Sequence, residues 1–195
     1  MGPPVPFVGL TGGMGAGKST ALAALERLGA ATISSDAVVH ELWASDASLR
    51  RTVVDRWGAE VAPNGVIDRS AVAERAWLEQ LLWPLVSARV GQWLAAARAE
   101  RANGEASHRA AVVEVPLLFE AGQEGVYDAT IVVIADEAVR RARAAERGHA
   151  SLDERAARQL SQEEKAARAT FVVRNDGSER DLERQLSSVL DKLGG

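Results

Sequence analysis

Phe7-Val8-Gly9-Leu10-Thr11-Gly12-Gly13-Met14-Gly15-Ala16-Gly17-Lys18-Ser19-Thr20 runs from an apolar stretch through a glycine-dense turn into Lys-Ser-Thr. Phe7–Leu10 reads as a buried strand, and Leu22, Leu25 and Leu28 mark a helix reaching about Leu28. Between strand and helix, residues 12–19 complete a G-x-x-x-x-G-K-S pattern. Glycine lets successive backbone N–H groups turn inward, and a helix N-terminus adds partial positive charge to the same space. The concavity suits a phosphate chain, with Gly13, Gly15, Ala16, Gly17 and Thr20 around it. Lys18 is expected on the β- and γ-phosphates, and the Ser19 hydroxyl on Mg²⁺. The alternative is a glycine turn that only joins strand to helix, but the complete motif in this context favours a nucleoside-triphosphate site.

The rest of the chain narrows the class. Its 195 residues suit one compact domain, or one core with a grafted subdomain. The absence of cysteine excludes disulfides, thiolate metal sites and a cysteine nucleophile. Three histidines leave little room for a histidine-based zinc site. A net charge of −4 disfavours nucleic acid as a partner. Only three of the 23 basic residues are lysine (Lys18, Lys165 and Lys192), and one of them stands in the glycine loop. The start, Met1-Gly2-Pro3-Pro4-Val5-Pro6, lacks the charged and apolar regions of a signal peptide. No run is long and apolar enough for a bilayer, so the expectation is a cytoplasmic protein without a membrane partner.

Five apolar runs read as buried strands: Phe7–Leu10, Ala31–Ser34, Ala111–Val115, Thr130–Ile134 and Phe171–Arg174. Helical patterns alternate with them, which predicts an α/β, P-loop NTPase-type doubly wound parallel five-stranded sheet. The core is expected in residues 1–36, 109–135 and 169–195. A helical insert at 37–108, holding Trp43, Trp57, Trp77, Trp83 and Trp93, would bind an acceptor. Within it, Pro84 suits the first turn of a helix carrying Val86, Val90, Trp93, Leu94 and Ala97. Residues 136–168, rich in arginine and glutamate, read as an entirely helical lid.

The motif of a guanine-reading site, Asn-Lys-x-Asp, is absent, because Lys165 and Lys192 follow Glu164 and Asp191. Motor ATPases generally need larger chains and paired acids at a strand end, whereas Glu114 here leads into Val115-Pro116. A compact core with two inserts fits a small-molecule kinase. Asp36, just past the second strand, can orient an acceptor hydroxyl and take its proton, or it can cap a helix starting at Ala37. Arg140, Arg143 and Arg147 share one helical face, suited to a transferring phosphoryl group or to pairing with Asp136, Glu137 and Glu146. Rival readings are a kinase for another nucleotide or small alcohol, and a non-catalytic ATP-binding regulator.

The chain resembles the dephospho-coenzyme A kinase family along most of its length. Gly9 to Thr20 is similar to that family's opening, and Leu28-Gly29 with Ile33-Ser34-Ser35-Asp36 to its Leu-Gly…Ile-Asp-Ala-Asp. Trp57-Gly58, Gly65 and Asp68-Arg69 resemble its Phe-Gly…Gly…Asp-Arg, and Pro116-Leu117-Leu118-Phe119-Glu120 its Pro-Leu-Leu-Phe-Glu. Arg143, Arg147, Gln162 and Asn175-Asp176-Gly177 are similar to its lid arginines, glutamine and final Asn-x-Gly. The resemblance implies transfer of the ATP γ-phosphoryl to the ribose 3′-hydroxyl of dephospho-coenzyme A. It implies Asp36 as base, catalytic contacts from Lys18 and Arg143, and Arg147 and Asn175 at ATP. Arg69, Trp83, Leu117 and Glu120 are the acceptor-side candidates. The departures also lie on that side: Ser34 replaces the first aspartate, His40 an arginine, and Trp83-Pro84 a His-Pro pair. Trp83 can stack on a base or belong to the core.

Overall fold

The computed structural model describes residues 4–62, 67, 75–146 and 159–194. Strand β1 (Phe7–Gly12) is buried throughout and extends two residues beyond the apolar run. The glycine loop follows, then α1 (Lys18–Arg27), whose Ala21, Ala24 and Leu25 are buried. Next come β2 (Ala31–Ser34), α2 (Ser35–Ser45), α3 (Ala47–Trp57) and α4 (Arg75–Ala102). The chain continues through β3 (Ala111–Glu114), β4 (Ala129–Ile134), α5 (Glu137–Glu146), α6 (Gln162–Arg168), β5 (Phe171–Arg174) and α7 (Glu179–Gly194).

The strands form one sheet in the order β2-β3-β1-β4-β5. Pairing is parallel at β1–β3 (Leu10 opposite Glu114), β1–β4 (Thr11 opposite Val132) and β4–β5. The doubly wound architecture expected from the sequence is therefore present. The central strands β1, β3 and β4 are buried, as continuous apolar runs require. The outer strands are not: β2 is half-buried along its length, and β5 leaves Val172 and Arg174 exposed. Each borders only one strand, so helices shield them less completely.

Two compact units divide the chain, Met1–Ile33 with Leu94–Gly195, and Ser34–Trp93. In the first, Val8, Leu10, Val112, Ile131 and Val133 of the sheet pack with Leu25 of α1 and Leu182, Leu186 and Leu190 of α7. The α7 residues recur at helical spacing, and each buried leucine contributes about 1.5–3 kcal/mol relative to an exposed one. The second unit packs around Trp43, Leu49, Val53, Val61, Ile67 and Leu78. There the Trp57 and Trp77 rings meet edge to face at 4.5 Å, with the Arg56 guanidinium about 5 Å from both.

Three expectations need correction. Pro84 lies inside α4, not in its first turn. A proline there forfeits one helical hydrogen bond, at roughly 3 kcal/mol. Leu78 and Val86, buried on either side of it, keep the helix continuous by packing. Trp83 is no core residue: it is 37% exposed. Nor is the stretch before β5 helical throughout, because Gln159, Leu160 and Ser161 lie outside any helix. Ser161 starts α6 with a capping box, its hydroxyl accepting from the Glu164 N–H while Glu164 accepts from the Ser161 N–H. Those two bonds hold the Glu164 carboxyl below the usual carboxylate range.

Candidate active site

The glycine loop, Glu114 and Asn175 stand at the carboxyl ends of β1, β3 and β5, the edge of a parallel sheet where ligands bind in such folds. At the end of β1 the loop reverses through Gly15 (φ 75°) and Gly17 (φ 92°), both in the left-handed region that favours glycine. Gly17 caps α1 with no side chain. A Cβ on it would lie 2.1 Å from the Asn175 amide nitrogen. Gly17→Ala is therefore expected to fold with a displaced loop and to lose ATP binding, measurable by calorimetry beside a thermal melt.

Lys18, the first residue of α1, folds back so that its Nζ donates to the carbonyls of Gly12 (3.1 Å) and Gly13 (3.3 Å). The ammonium is thereby held over the loop. Ser19 is exposed in the first turn of α1. The Ala16 N–H, by contrast, closes a turn onto the Gly13 carbonyl at 3.2 Å.

Two side chains grip the loop. The Asn175 amide, 5% exposed after β5, donates to the Ala16 carbonyl at 2.9 Å. Arg140 of α5 donates from Nε to the Met14 carbonyl, also at 2.9 Å. The spacing of Arg140 and Arg143 places them on one face, yet they do different things. Arg140 is engaged with backbone, whereas Arg143 lines a cavity of about 210 Å³ with Gly17, Thr20, Glu146, Asn175, Gly177 and Glu179. Its Nη1 is shielded from solvent and has no hydrogen-bond partner among the described residues. Arg147 lies outside the described residues.

The Pro-Leu-Leu-Phe-Glu segment is tied to the chain returning toward β5. Glu120 Oε1 accepts from the Leu160 N–H (2.9 Å) and from Lys165 Nζ (2.9 Å). Lys165 is fully buried and also donates to the Pro116 carbonyl, as does the Thr11 hydroxyl. Leu117, 37% exposed, is the outward-facing member of the segment. Nearby, the Gln162 side chain accepts from the Ala135 N–H and donates to the Ala135 carbonyl, both at 2.9 Å. Glu114, buried at the carboxyl end of β3, is a site candidate that the sequence reading passed over. Its place at the end of a central strand is the signal that would have found it.

In the second unit, Asp36 is exposed in the first turn of α2 and is not the cap. Ser34 caps that helix, its hydroxyl accepting from the Ala37 N–H. His40 is exposed on the same helix. Arg69 lies outside the described residues.

A larger cavity, about 430 Å³, lies away from this edge, beside His108, Arg109 and the end of α7. Its charges are already satisfied: Arg109 pairs with Asp191, His108 with Glu100, and Arg101 donates to the His108 carbonyl.

The sequence model of the family described as dephospho-CoA kinase (CoaE) matches residues 6–181. The chain belongs to the dephospho-CoA kinase family. Dephospho-CoA kinases of Protochlamydia amoebophila and Moorella thermoacetica are 34% and 38% identical to it. Those alignments cover 95% of both chains in the first case, and 94% of this chain and 88% of the relative in the second. A Thermus thermophilus protein of known structure is 32% identical with a TM-score of 0.66, over 99% of this chain and 100% of its own. The dephospho-CoA kinase structure from Campylobacter jejuni, at 23% identity, shares the fold with a TM-score of 0.63 over 96% and 97% of the two chains. As a kinase family it takes ATP as co-substrate.

Proposed function

We propose that this chain transfers the γ-phosphoryl group of ATP to the ribose 3′-hydroxyl of dephospho-coenzyme A, giving coenzyme A and ADP. The observation that carries the reading is the glycine loop with Lys18 held across it, in a chain matched to the family from residue 6 to 181. The left-handed Gly15 and Gly17 shape the concavity for the phosphates. Lys18 exchanges its carbonyl partners for phosphate oxygens, and Arg143, whose Nη1 has no partner among the described residues, neutralises charge on the moving phosphoryl. The cavity beside Gly17 and Asn175 takes the nucleoside end of ATP.

Strand β2 ends at the carboxyl edge of the sheet, and Asp36 follows two residues later. Its carboxylate accepts the proton of the 3′-hydroxyl as that oxygen bonds to the γ-phosphorus. The bond from the γ-phosphorus to the β–γ bridging oxygen breaks, and ADP leaves with the electron pair. Mg²⁺ fits the donor present, since the exposed Ser19 hydroxyl offers the hard oxygen atom this ion prefers. Bound there with ATP, it would supply charge neutralisation at the phosphates.

Leu117 in the first unit and Trp83 in the second are each partly exposed and are the apolar acceptor candidates of their own units, whereas Glu120 acts through Lys165 and Leu160 as a support. Incubation with ATP, Mg²⁺ and dephospho-coenzyme A should yield coenzyme A, heavier than the acceptor by one phosphoryl group in a mass spectrum. Turnover of a plain nucleoside monophosphate in preference to dephospho-coenzyme A would overturn the substrate, and ATP binding without any transfer would overturn the kinase.

A further inference from the structure

We propose that Arg140 is a positioning residue that holds the Met14–Gly15 peptide so that the Gly15 N–H faces the phosphates, and that it is not itself a phosphate ligand. The inference rests on the reading of the loop as an ATP site. Arg140 Nε donates to the Met14 carbonyl at 2.9 Å. In a trans peptide the carbonyl and the following N–H point in opposite directions. Drawing the Met14 oxygen toward α5 therefore turns the Gly15 N–H away from α5.

The rest of the residue reinforces this hold. A Cβ on Gly13 would lie 3.1 Å from Arg140 Nη2, so the guanidinium packs closely against the loop. A Cβ on Gly15 would lie 2.5 Å from the Arg140 carbonyl oxygen, so the helix backbone closes on the loop's turn. Asn175 repeats the device two peptides on, drawing the Ala16 oxygen outward and aiming the Gly17 N–H the opposite way. Two carbonyls are thus gripped from α5 and from the end of β5, and the two amides following them are oriented before ligand arrives. Such preorganisation strengthens anion binding because no reorientation is required on binding.

A guanidinium acting on a carbonyl is used as a donor, and a neutral donor can replace it. A guanidinium acting on phosphate is used as a charge, and only another cation can replace it. Arg140→Met, Arg140→Gln and Arg140→Lys separate the two roles, with AMP and ATP affinities measured by calorimetry beside a thermal melt. Arg140→Met should weaken ATP roughly tenfold, the worth of one charge-assisted bond, and AMP by less. Arg140→Gln should recover more of the ATP affinity than Arg140→Lys.

Unchanged ATP affinity in Arg140→Met, or an equal loss for AMP and ATP, overturns the proposal. Better recovery by lysine than by glutamine overturns it as well, and that comparison still decides if the methionine variant fails to fold. These affinities need no acceptor. Failure here is thus distinct from failure of the parent chain to bind ATP or to make coenzyme A.

Discussion

Asp36→Asn should bind ATP as tightly as the parent chain and turn over about 10²- to 10⁴-fold more slowly, the usual worth of a positioned base. The amide has the shape of the carboxylate and can still accept a hydrogen bond from an acceptor hydroxyl, but it cannot take the proton. The substitution tests chemistry cleanly because Asp36 does not cap α2; Ser34 does, through the Ala37 N–H. What the fold loses is one negative charge in a first helical turn, about 0.3–1 kcal/mol. Calorimetry with ATP and steady-state rates with dephospho-coenzyme A make the measurement. Undiminished turnover would remove Asp36 from the base role.

Lys165→Met should cost about 3–5 kcal/mol of stability, the scale for breaking a buried pair from one side. Lys165 is fully buried, and its partner Glu120 keeps 14% of its side chain exposed. Glu120 Oε2 is shielded from solvent with no hydrogen-bond partner among the described residues, so its carboxylate depends on Oε1 and on the lysine charge. Removing the lysine leaves that charge uncompensated and takes a donor from the Pro116 carbonyl. The double substitution Lys165→Met with Glu120→Leu removes both charges and should recover much of the loss. Denaturant unfolding of the three chains decides it. A loss below about 1 kcal/mol for Lys165→Met, the range of an exposed pair, would show that the cluster is not tightly buried.

What could be read from the sequence was mostly what is local. The phosphate loop is contiguous, so its glycines, Lys18 and its strand and helix flanks declare themselves together, and the apolar runs mark all five strands. Arg140 shows the limit. Helical spacing placed it on a face with Arg143, but nothing in that spacing indicates that the Met14 carbonyl, 126 residues earlier, lies opposite. Asn175 and Glu120 were legible only through family likeness, because their partners are the Ala16 carbonyl and Lys165. At Pro84 a sound local rule met the opposing pull of buried Leu78 and Val86, and tertiary packing overrode it. The short hydroxyl of Ser34 took the capping role that the sequence left open to Asp36.

The paired hydrogen bonds between Gln162 and Ala135 have a consequence for how this chain tolerates change. The side-chain amide copies a backbone pairing, so the chain just past β4 and the start of α6 are tied by two bonds from one side chain. In polymer terms the two residues close a ring, which the Arg140–Met14 and Leu160–Glu120 bonds also fasten to the core. The entropy of such a ring grows only with the logarithm of its contour, so doubling the enclosed length costs about 0.6 kcal/mol. Lengthening the ring should therefore cost the sheet little while Arg140 and Leu160 keep their partners, whereas loss of the Gln162 side chain would remove both bonds at its closure.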